Sequence, residues 1–259
     1  SMSELKMSVR SKLLGSISTA RVGHVPSEMP AYLERSDDDY ITKKPGLFPD
    51  VLYPVKRTDI VRSDRYYPDT LWFTVDVPSD TQPGDYPVCI TFTDIKDETK
   101  TKVRVVVSVK NAVIEKSDLI FTQWFHCDSI ADYFGVKMMS ERHWRLIEQF
   151  IKTAARTGIT MLLTPLFTPP LDTAVGTERP TMQLVRVVKT GDRYDFDFTL
   201  LRRWVELCRK YGIEYFEMSH LFTQWGVCAC PKIVVSVDGR DEKLFGWQVE
   251  AMSDMYKNF

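Results

Sequence analysis

The spacing of apolar side chains changes once along the chain, near residue 115. Before that point, apolar and polar residues alternate in short runs at 71–78, 86–92 and 103–109, separated by turns rich in proline and glycine. A period of two with frequent turns is typical of antiparallel strands that pack as a β-sandwich. We therefore predict an antiparallel β-sandwich domain over residues 1–115.

In the second half of the chain, the apolar pattern becomes helical. Residues 140–157 and 199–211 place apolar side chains three and four positions apart, which predicts two amphipathic helices. Ser140 is a suitable N-cap for the first helix. Gly158 and Gly212 follow the two helices at the position where a left-handed residue commonly ends a helix.

Apolar runs at residues 119–126, 159–167 and 213–220 alternate with these helices. An alternation of strands and helices is typical of βαβ units with a parallel sheet. Residues 184–198 add an inserted β-hairpin around a Thr-Gly-Asp turn. We interpret residues 238–243 as a polar loop, and the chain from Trp247 as the start of a third helix.

The second domain, residues 118–259, is too short for a closed barrel, since a (β/α)₈ barrel typically takes about 250 residues. The predicted fold class is therefore multidomain, β plus α/β, with the sandwich followed by the first three βα units of an incomplete TIM barrel. We expect the apolar helix faces around Trp144 and Trp204 to be exposed and a homo-oligomer to cover the open barrel edge.

The composition and net charge of the chain argue against some classes of binding partner. The 259 residues carry a formal net charge of −1, which offers no field for binding nucleic acid or an anionic membrane surface. No apolar stretch approaches the roughly 18 residues that a membrane span needs. The five cysteines are scattered, and the first residues lack the apolar segment of a secretion signal. We therefore expect a cytoplasmic protein without a cofactor.

The candidate binding residues follow the three predicted parallel strands. In parallel sheets, the loops after the carboxyl ends of the strands carry the chemistry, so these residues are expected to share one rim. Aromatic rings stack on the C–H faces of sugars, while His, Gln and Asp side chains bind hydroxyl groups. The predicted carbohydrate-binding residues are Trp124, His126, Asp128, Asp172, His220, Gln224 and Trp225.

A metal site is a weaker alternative. His126, Asp128 and His220 are of ligand types, but the sequence offers no additional carboxylate that we place with them. Cys228 and Cys230 have one residue between them, whereas zinc sites typically have two to four. We predict no metal site.

Several segments resemble glycoside hydrolase family 123 and its large group of uncharacterised relatives, from about residue 45 to the end. Near the N-terminus these are residues 49–54, 71–72 and 83–86. The more specific segments are residues 124–128, 132–134, 143–144, 163–172, 219–225 and 245–247.

The resemblance implies a sandwich followed by a (β/α)₈ barrel that acts as a retaining N-acetyl-β-galactosaminidase. In that mechanism the 2-acetamido oxygen of the substrate attacks the anomeric carbon. An Asp orients the amide and an adjacent Glu serves as acid and then base, typically in an Asp-Glu-Pro sequence after a later barrel strand. This chain contains no Asp-Glu-Pro. Its pairs Asp97-Glu98 and Asp241-Glu242 do not follow apolar strands in our interpretation, so the catalytic residues stay unassigned.

Two classes of function remain open. The first is a glycosidase-like protein acting on β-linked N-acetylhexosamine, of which these residues are an N-terminal portion that is inactive alone. The alternative is a non-catalytic carbohydrate-binding or interaction protein.

Overall fold

The computed structural model describes residues 3–31, 34, 38–56, 58–63, 69–115, 118–224 and 226–259. The chain divides into two compact units, residues 1–115 and 116–259. Trp225, one of the predicted site residues, lies outside the described residues, as does part of the segment that joins the two units. None of the described helices is both long and apolar enough to cross a lipid bilayer.

Within the residues that the structure describes, the first unit contains seven strands. They are β1 (Ser3–Arg10), β2 (Ile17–Ser27), β3 (Gly46–Pro54), β4 (Ile60–Ser63), β5 (Leu71–Val75), β6 (Gly84–Asp94) and β7 (Lys100–Val109). They form a four-stranded sheet of order β4-β1-β6-β7 and a three-stranded sheet of order β3-β2-β5. Every pairing is antiparallel, as predicted.

Both sheets of the first unit contribute to one apolar core. Met7, Val88 and Ile90 of the four-stranded sheet are buried, and Leu71 and Phe73 of the three-stranded sheet pack against them. This is the arrangement of a sandwich, in which the inward-facing residues of each strand meet between the sheets. The strand β7 departs from the predicted pattern, since Val103 and Val105 are exposed at the sheet edge.

The second unit mixes helices and strands. Its elements are β8 (Thr122–Gln123), α1 (Cys127–Tyr133), α2 (Glu141–Arg156), β9 (Met161–Thr164), β10 (Arg186–Thr190), β11 (Arg193–Asp197), α3 (Thr199–Lys210), β12 (Tyr215–Met218), β13 (Ile233–Val237), β14 (Arg240–Phe245) and α4 (Asp254–Asn258). The three predicted strands β8, β9 and β12 form one parallel sheet of order β12-β9-β8, so the parallel pairing is confirmed.

The two long helices begin and end as their sequences predict. The Ser140 side chain accepts a hydrogen bond from the His143 N–H at the start of α2. After α2, Gly158 has φ +89° and donates to the Ala155 carbonyl, while Ile159 donates to the Ala154 carbonyl. The same pair of bonds follows α3 at Gly212. These are Schellman motifs, which satisfy the last carbonyls of a helix and turn the chain into the next strand.

The helices α2 and α3 cover one face of the parallel sheet. Trp144 and Trp204 are buried there, in a core with Ile147, Leu162 and Ile213. The expectation that these helix faces would be exposed is wrong. The uncovered face of the sheet is the opposite one, which carries Trp124, Tyr215 and Glu217, so these side chains remain accessible or partly accessible.

A second sheet in this unit was only partly predicted. The hairpin of β10 and β11 is confirmed. It extends through a parallel pairing of β10 with β13 to a four-stranded sheet of order β11-β10-β13-β14. Residues 240–243, interpreted as loop, belong to the exposed strand β14, and the chain after Trp247 is irregular until the short helix α4. The alternation of Ile233, Val235 and Val237 was the overlooked strand signal.

Candidate functional site

Because β8, β9 and β12 run parallel, their carboxyl ends meet at one edge of the sheet. The segments that leave this edge contain most of the predicted site residues. They form a cleft of about 710 Å³, which we call the aromatic cleft. Its lining residues are Trp124, Leu171, His220, Leu221, Phe222, Thr223, Gln224 and Val227.

Trp124 and His220 form the aromatic wall of this cleft. Their ring centroids lie 6.0 Å apart and the rings are inclined by 73°, an edge-to-face contact. Trp124 is 43% exposed, so a large part of its indole is free to contact a ligand. The wall is built by two different strands, since Trp124 follows β8 and His220 follows β12. Their contact agrees with the predicted shared rim.

Glu217 anchors the indole of Trp124 through a hydrogen bond. One carboxylate oxygen, Oε2, accepts hydrogen bonds from Trp124 Nε1 at 2.7 Å and from Thr122 Oγ1 at 3.0 Å. Glu217 is partly buried on β12, two strands away from Trp124 in the sheet. Glu217 was not among the predicted site residues. The available signal was its strand face, which it shares with Tyr215 and not with the core residue Phe216.

His126 and Asp172 form a hydrogen-bonded pair beside the cleft. The distance from His126 Nε2 to Asp172 Oδ2 is 2.7 Å, with side chains 14% and 67% exposed respectively. Asp172 has φ +55°, a left-handed conformation that is uncommon outside glycine, asparagine and aspartate. The pair therefore fixes an exposed carboxylate next to Leu171, which lines the cleft.

Asp128 is not among the residues that line the aromatic cleft. Its carboxylate is buried and accepts a hydrogen bond from Arg179 Nε at 2.9 Å. Arg179 also donates to Ser129 Oγ at 2.9 Å and to the Leu171 carbonyl at 3.4 Å. Asp128 is thus engaged with a protein cation and does not face the cleft. Through Arg179, Asp128 is connected to the backbone of the cleft residue Leu171.

The long connection from β9 to β10, residues 165–185, is held by several contacts between its residues and side chains of later segments. Lys232 Nζ donates to the Arg179 carbonyl at 3.1 Å, and Trp247 Nε1 to the Thr177 carbonyl at 2.8 Å. Lys243 pairs with Glu178 at 3.0 Å. Loops of this length without regular structure are commonly functional. We refer to residues 165–185 as the β9–β10 loop.

The comparisons with known proteins bear on this unit. Residues 124–259 match the family model described as the catalytic domain of glycoside hydrolase 123, which is more than half of the chain. The chain belongs to glycoside hydrolase family 123. The match begins at Trp124 in the aromatic wall of the cleft and includes strands β9 to β14 of the second unit.

A solved structure has a similar fold. It is the family 123 glycoside hydrolase from Clostridium perfringens that was studied for glycolipid glycan hydrolysis, at a TM-score of 0.63 and 14% identity. The similarity covers all of this chain and 46% of that chain, so the present residues span about half the length of that relative. A search of curated proteins finds no match.

Within this family 123 chain, the predicted site residues separate into three groups. Trp124, His220 and Gln224 line the aromatic cleft. His126 and Asp172 lie beside it as a pair, and Asp128 is buried with Arg179. Trp225 lies outside the described residues.

The two Asp-Glu pairs are not part of the cleft of this family 123 chain. Asp241 and Glu242 lie on β14, an exposed strand of the other sheet. Asp97 belongs to the β6–β7 turn of the first unit, where hydrogen bonds from Thr99 lower the pKa of its carboxyl group. Neither pair lies at the carboxyl edge of the parallel sheet β12-β9-β8, where the aromatic cleft is found.

The groups considered as metal ligands lie in separate environments. His126 contacts Asp172, Asp128 contacts Arg179, and His220 contacts Trp124. Within the part of the chain that the structure describes, no three His, Cys, Asp or Glu side chains are grouped to hold a metal ion.

The two neighbouring cysteines also differ. Cys228 is exposed, whereas burial raises the pKa of the Cys230 thiol to about 11. Cys230 is completely buried in an apolar cluster with Phe167, Val187 and Ile233, so it is a packing residue.

Proposed function

We propose that the second unit is the first part of the (β/α)₈ barrel of a glycosidase that acts on β-linked N-acetylhexosamine, of the retaining, substrate-assisted N-acetyl-β-galactosaminidase type. The observation that carries the proposal is the aromatic cleft at the carboxyl edge of three parallel strands. Family membership and the similar fold support the assignment to carbohydrate chemistry.

The chemistry of the cleft suits a sugar. The exposed face of Trp124 offers a π surface to the C–H groups of one face of a pyranose ring. His220 and Gln224 place hydrogen-bonding groups on the same cleft as this ring. A mostly apolar cleft with a few fixed polar groups is the usual composition of a small-molecule site, in which the polar groups set the orientation.

We propose further that the acid and base are not supplied by the carboxylates near this cleft. Glycoside hydrolysis needs a carboxyl group that can carry and release a proton. The residues that line the aromatic cleft in the described part of the chain include no Asp or Glu, and Asp172 and Glu217 are each hydrogen-bonded to other side chains. The cleft therefore binds and orients the sugar. This role is also compatible with the alternative function, a non-catalytic carbohydrate-binding protein.

The first test is turnover. We expect the 259-residue chain to release no 4-nitrophenol from 4-nitrophenyl N-acetyl-β-galactosaminide, because general acid–base catalysis, typically worth 10²–10⁴-fold, is missing. The matched measurement uses the product of the complete gene, which is expected to release 4-nitrophenol. If the 259-residue chain releases 4-nitrophenol and the substitution Glu242→Gln abolishes this activity, the proposal is contradicted. The active site would then lie on β14.

The second test is binding. Trp124→Ala should weaken the affinity of the chain for methyl N-acetyl-β-galactosaminide about tenfold, because aromatic contacts contribute roughly 0.5–1.5 kcal/mol beyond buried area. Titration calorimetry measures this change. Trp72→Ala is the control, since Trp72 is 55% exposed on β5 of the first unit. Equal losses in both variants would place the glycan outside the aromatic cleft.

A further inference from the structure

Glu217 occupies an unusual position for a charged residue. It lies on the edge strand β12, on the same face of the parallel sheet as Thr122 of β8 and as Trp124, which follows β8. The strand register places Glu217 level with Leu163 of the central strand, and Leu163 is buried. The side chains of Glu217 and Trp124 therefore meet above Leu163, across two interstrand spacings, or roughly 9.5 Å of sheet.

We infer that Glu217 is a positioning residue, which orients Trp124 as the wall of the aromatic cleft. The inference rests on the proposed function, since it assigns a role within the same glycan site. Its structural basis is the 2.7 Å bond from Trp124 Nε1 to Glu217 Oε2. An indole has one donor and two side-chain torsions, so one strong bond at Nε1 fixes the plane of the ring.

The charge of Glu217 strengthens this arrangement in two ways. A hydrogen bond to an ionised acceptor is shorter and about twice as strong as a neutral one. Negative charge at the edge of the indole also raises the electron density of its faces. Those faces attract the partly positive C–H groups of a sugar, as they attract cations. Glu217 thus tunes the surface that contacts the ligand without lining the cleft.

Thr122 completes the arrangement. Its hydroxyl donates to the same oxygen, Oε2, at 3.0 Å. Two donors converging on one carboxylate oxygen hold that oxygen in place, so Glu217 is itself oriented before any ligand arrives. A preorganised aromatic wall loses little conformational entropy on binding, which is the general origin of affinity gained by rigidity.

The indole N–H resonance of Trp124 tests the contact directly. The six tryptophans give six indole signals in a ¹H–¹⁵N spectrum, and Trp124→Phe identifies the signal of Trp124. In the unmodified chain, we expect this proton downfield of the Trp72 indole proton. Glu217→Leu should move it upfield and speed its exchange with water at least tenfold. Glu217→Gln, which keeps an acceptor oxygen, should retain most of the protection.

Glycan affinity is measured on the same variants with methyl N-acetyl-β-galactosaminide. Glu217→Leu should weaken binding about fivefold, Glu217→Gln less than twofold, and Thr122→Val by an intermediate factor. Glu206→Leu is the matched control, since Glu206 is exposed on α3, and it should change neither measurement. Thermal unfolding of each variant verifies that it is folded.

The outcomes separate this inference from the proposed function. An unchanged Trp124 signal in Glu217→Leu overturns the inference, as does a changed signal without any change in affinity. Equal losses in the Gln and Leu variants also overturn it, because they indicate a general structural role. If the unmodified chain binds no glycoside while the Trp124 signal shifts as expected, the proposed function fails and the contact between Glu217 and Trp124 stands.

Discussion

Replacing Asp128 with alanine is expected to lower the free energy of unfolding of the second unit by about 3–5 kcal/mol, because it leaves a buried arginine without its counter-ion. The side chains of Asp128 and Arg179 are only 6% and 12% exposed, so solvent screens the pair weakly. Urea unfolding followed by tryptophan fluorescence measures the change. The same variant should also weaken glycan binding, since Arg179 holds the Leu171 carbonyl.

The matched control is Asp195→Ala. Asp195 pairs with Arg193 at 3.0 Å, but both side chains are more than half exposed. Pairs of this kind contribute about 0–1 kcal/mol. The double variant Asp128→Leu/Arg179→Met should recover much of the loss, because it removes both buried charges together. A cost for Asp128→Ala as small as that of Asp195→Ala would mean that the buried pair does not order the β9–β10 loop.

Trp204→Ala is the second change with a large expected effect, about 3–5 kcal/mol of destabilisation. Trp204 is completely buried between α3 and the parallel sheet, with its ring centroid 6.3 Å from that of Phe125. Truncation removes a large apolar surface and leaves a cavity that the surrounding helices cannot fill. Thermal unfolding of the second unit, followed by circular dichroism, measures the change.

Trp124→Ala is the control for this prediction, since it makes the same substitution at a half-exposed position of the same unit. We expect it to cost about 1 kcal/mol, the net contribution of a hydrogen bond. Comparable costs for the two variants would indicate that the face of α3 that carries Trp204 is open to solvent. That result would restore the expectation made from sequence and contradict the burial of the helix faces.

The features that could be predicted from sequence depend on neighbouring residues. Ser140 caps α2, and Gly158 and Gly212 end the two long helices, because each acts on backbone groups within a few positions. The parallel order of β8, β9 and β12 follows from the alternation of strands with helices. The rim that joins Trp124 and His220 then follows from the geometry of parallel strands.

The features that were missed depend on distant residues. Asp128 and Arg179 are separated by 51 positions, and nothing near Asp128 indicates that its charge is neutralised from the β9–β10 loop. Glu217 and Trp124 are separated by 93 positions. The exposure of β7 and the burial of Trp204 likewise depend on which face of a sheet another element covers. A periodic pattern identifies an apolar face but not the element that packs against it.

The anchoring of the β9–β10 loop has a consequence for how the ligand preference of such a protein can change. Lys232, Lys243 and Trp247 hold this loop from the side of the second sheet, yet they are not among the residues that line the aromatic cleft. We expect a substitution at any of them to shift the β9–β10 loop, which carries Leu171 and Asp172, without changing a residue that lines the cleft. Selection for binding of a new glycan can therefore act on the residues that anchor the β9–β10 loop as well as on the residues that line the cleft. A mutant library confined to the residues that line the cleft would not sample these anchoring positions.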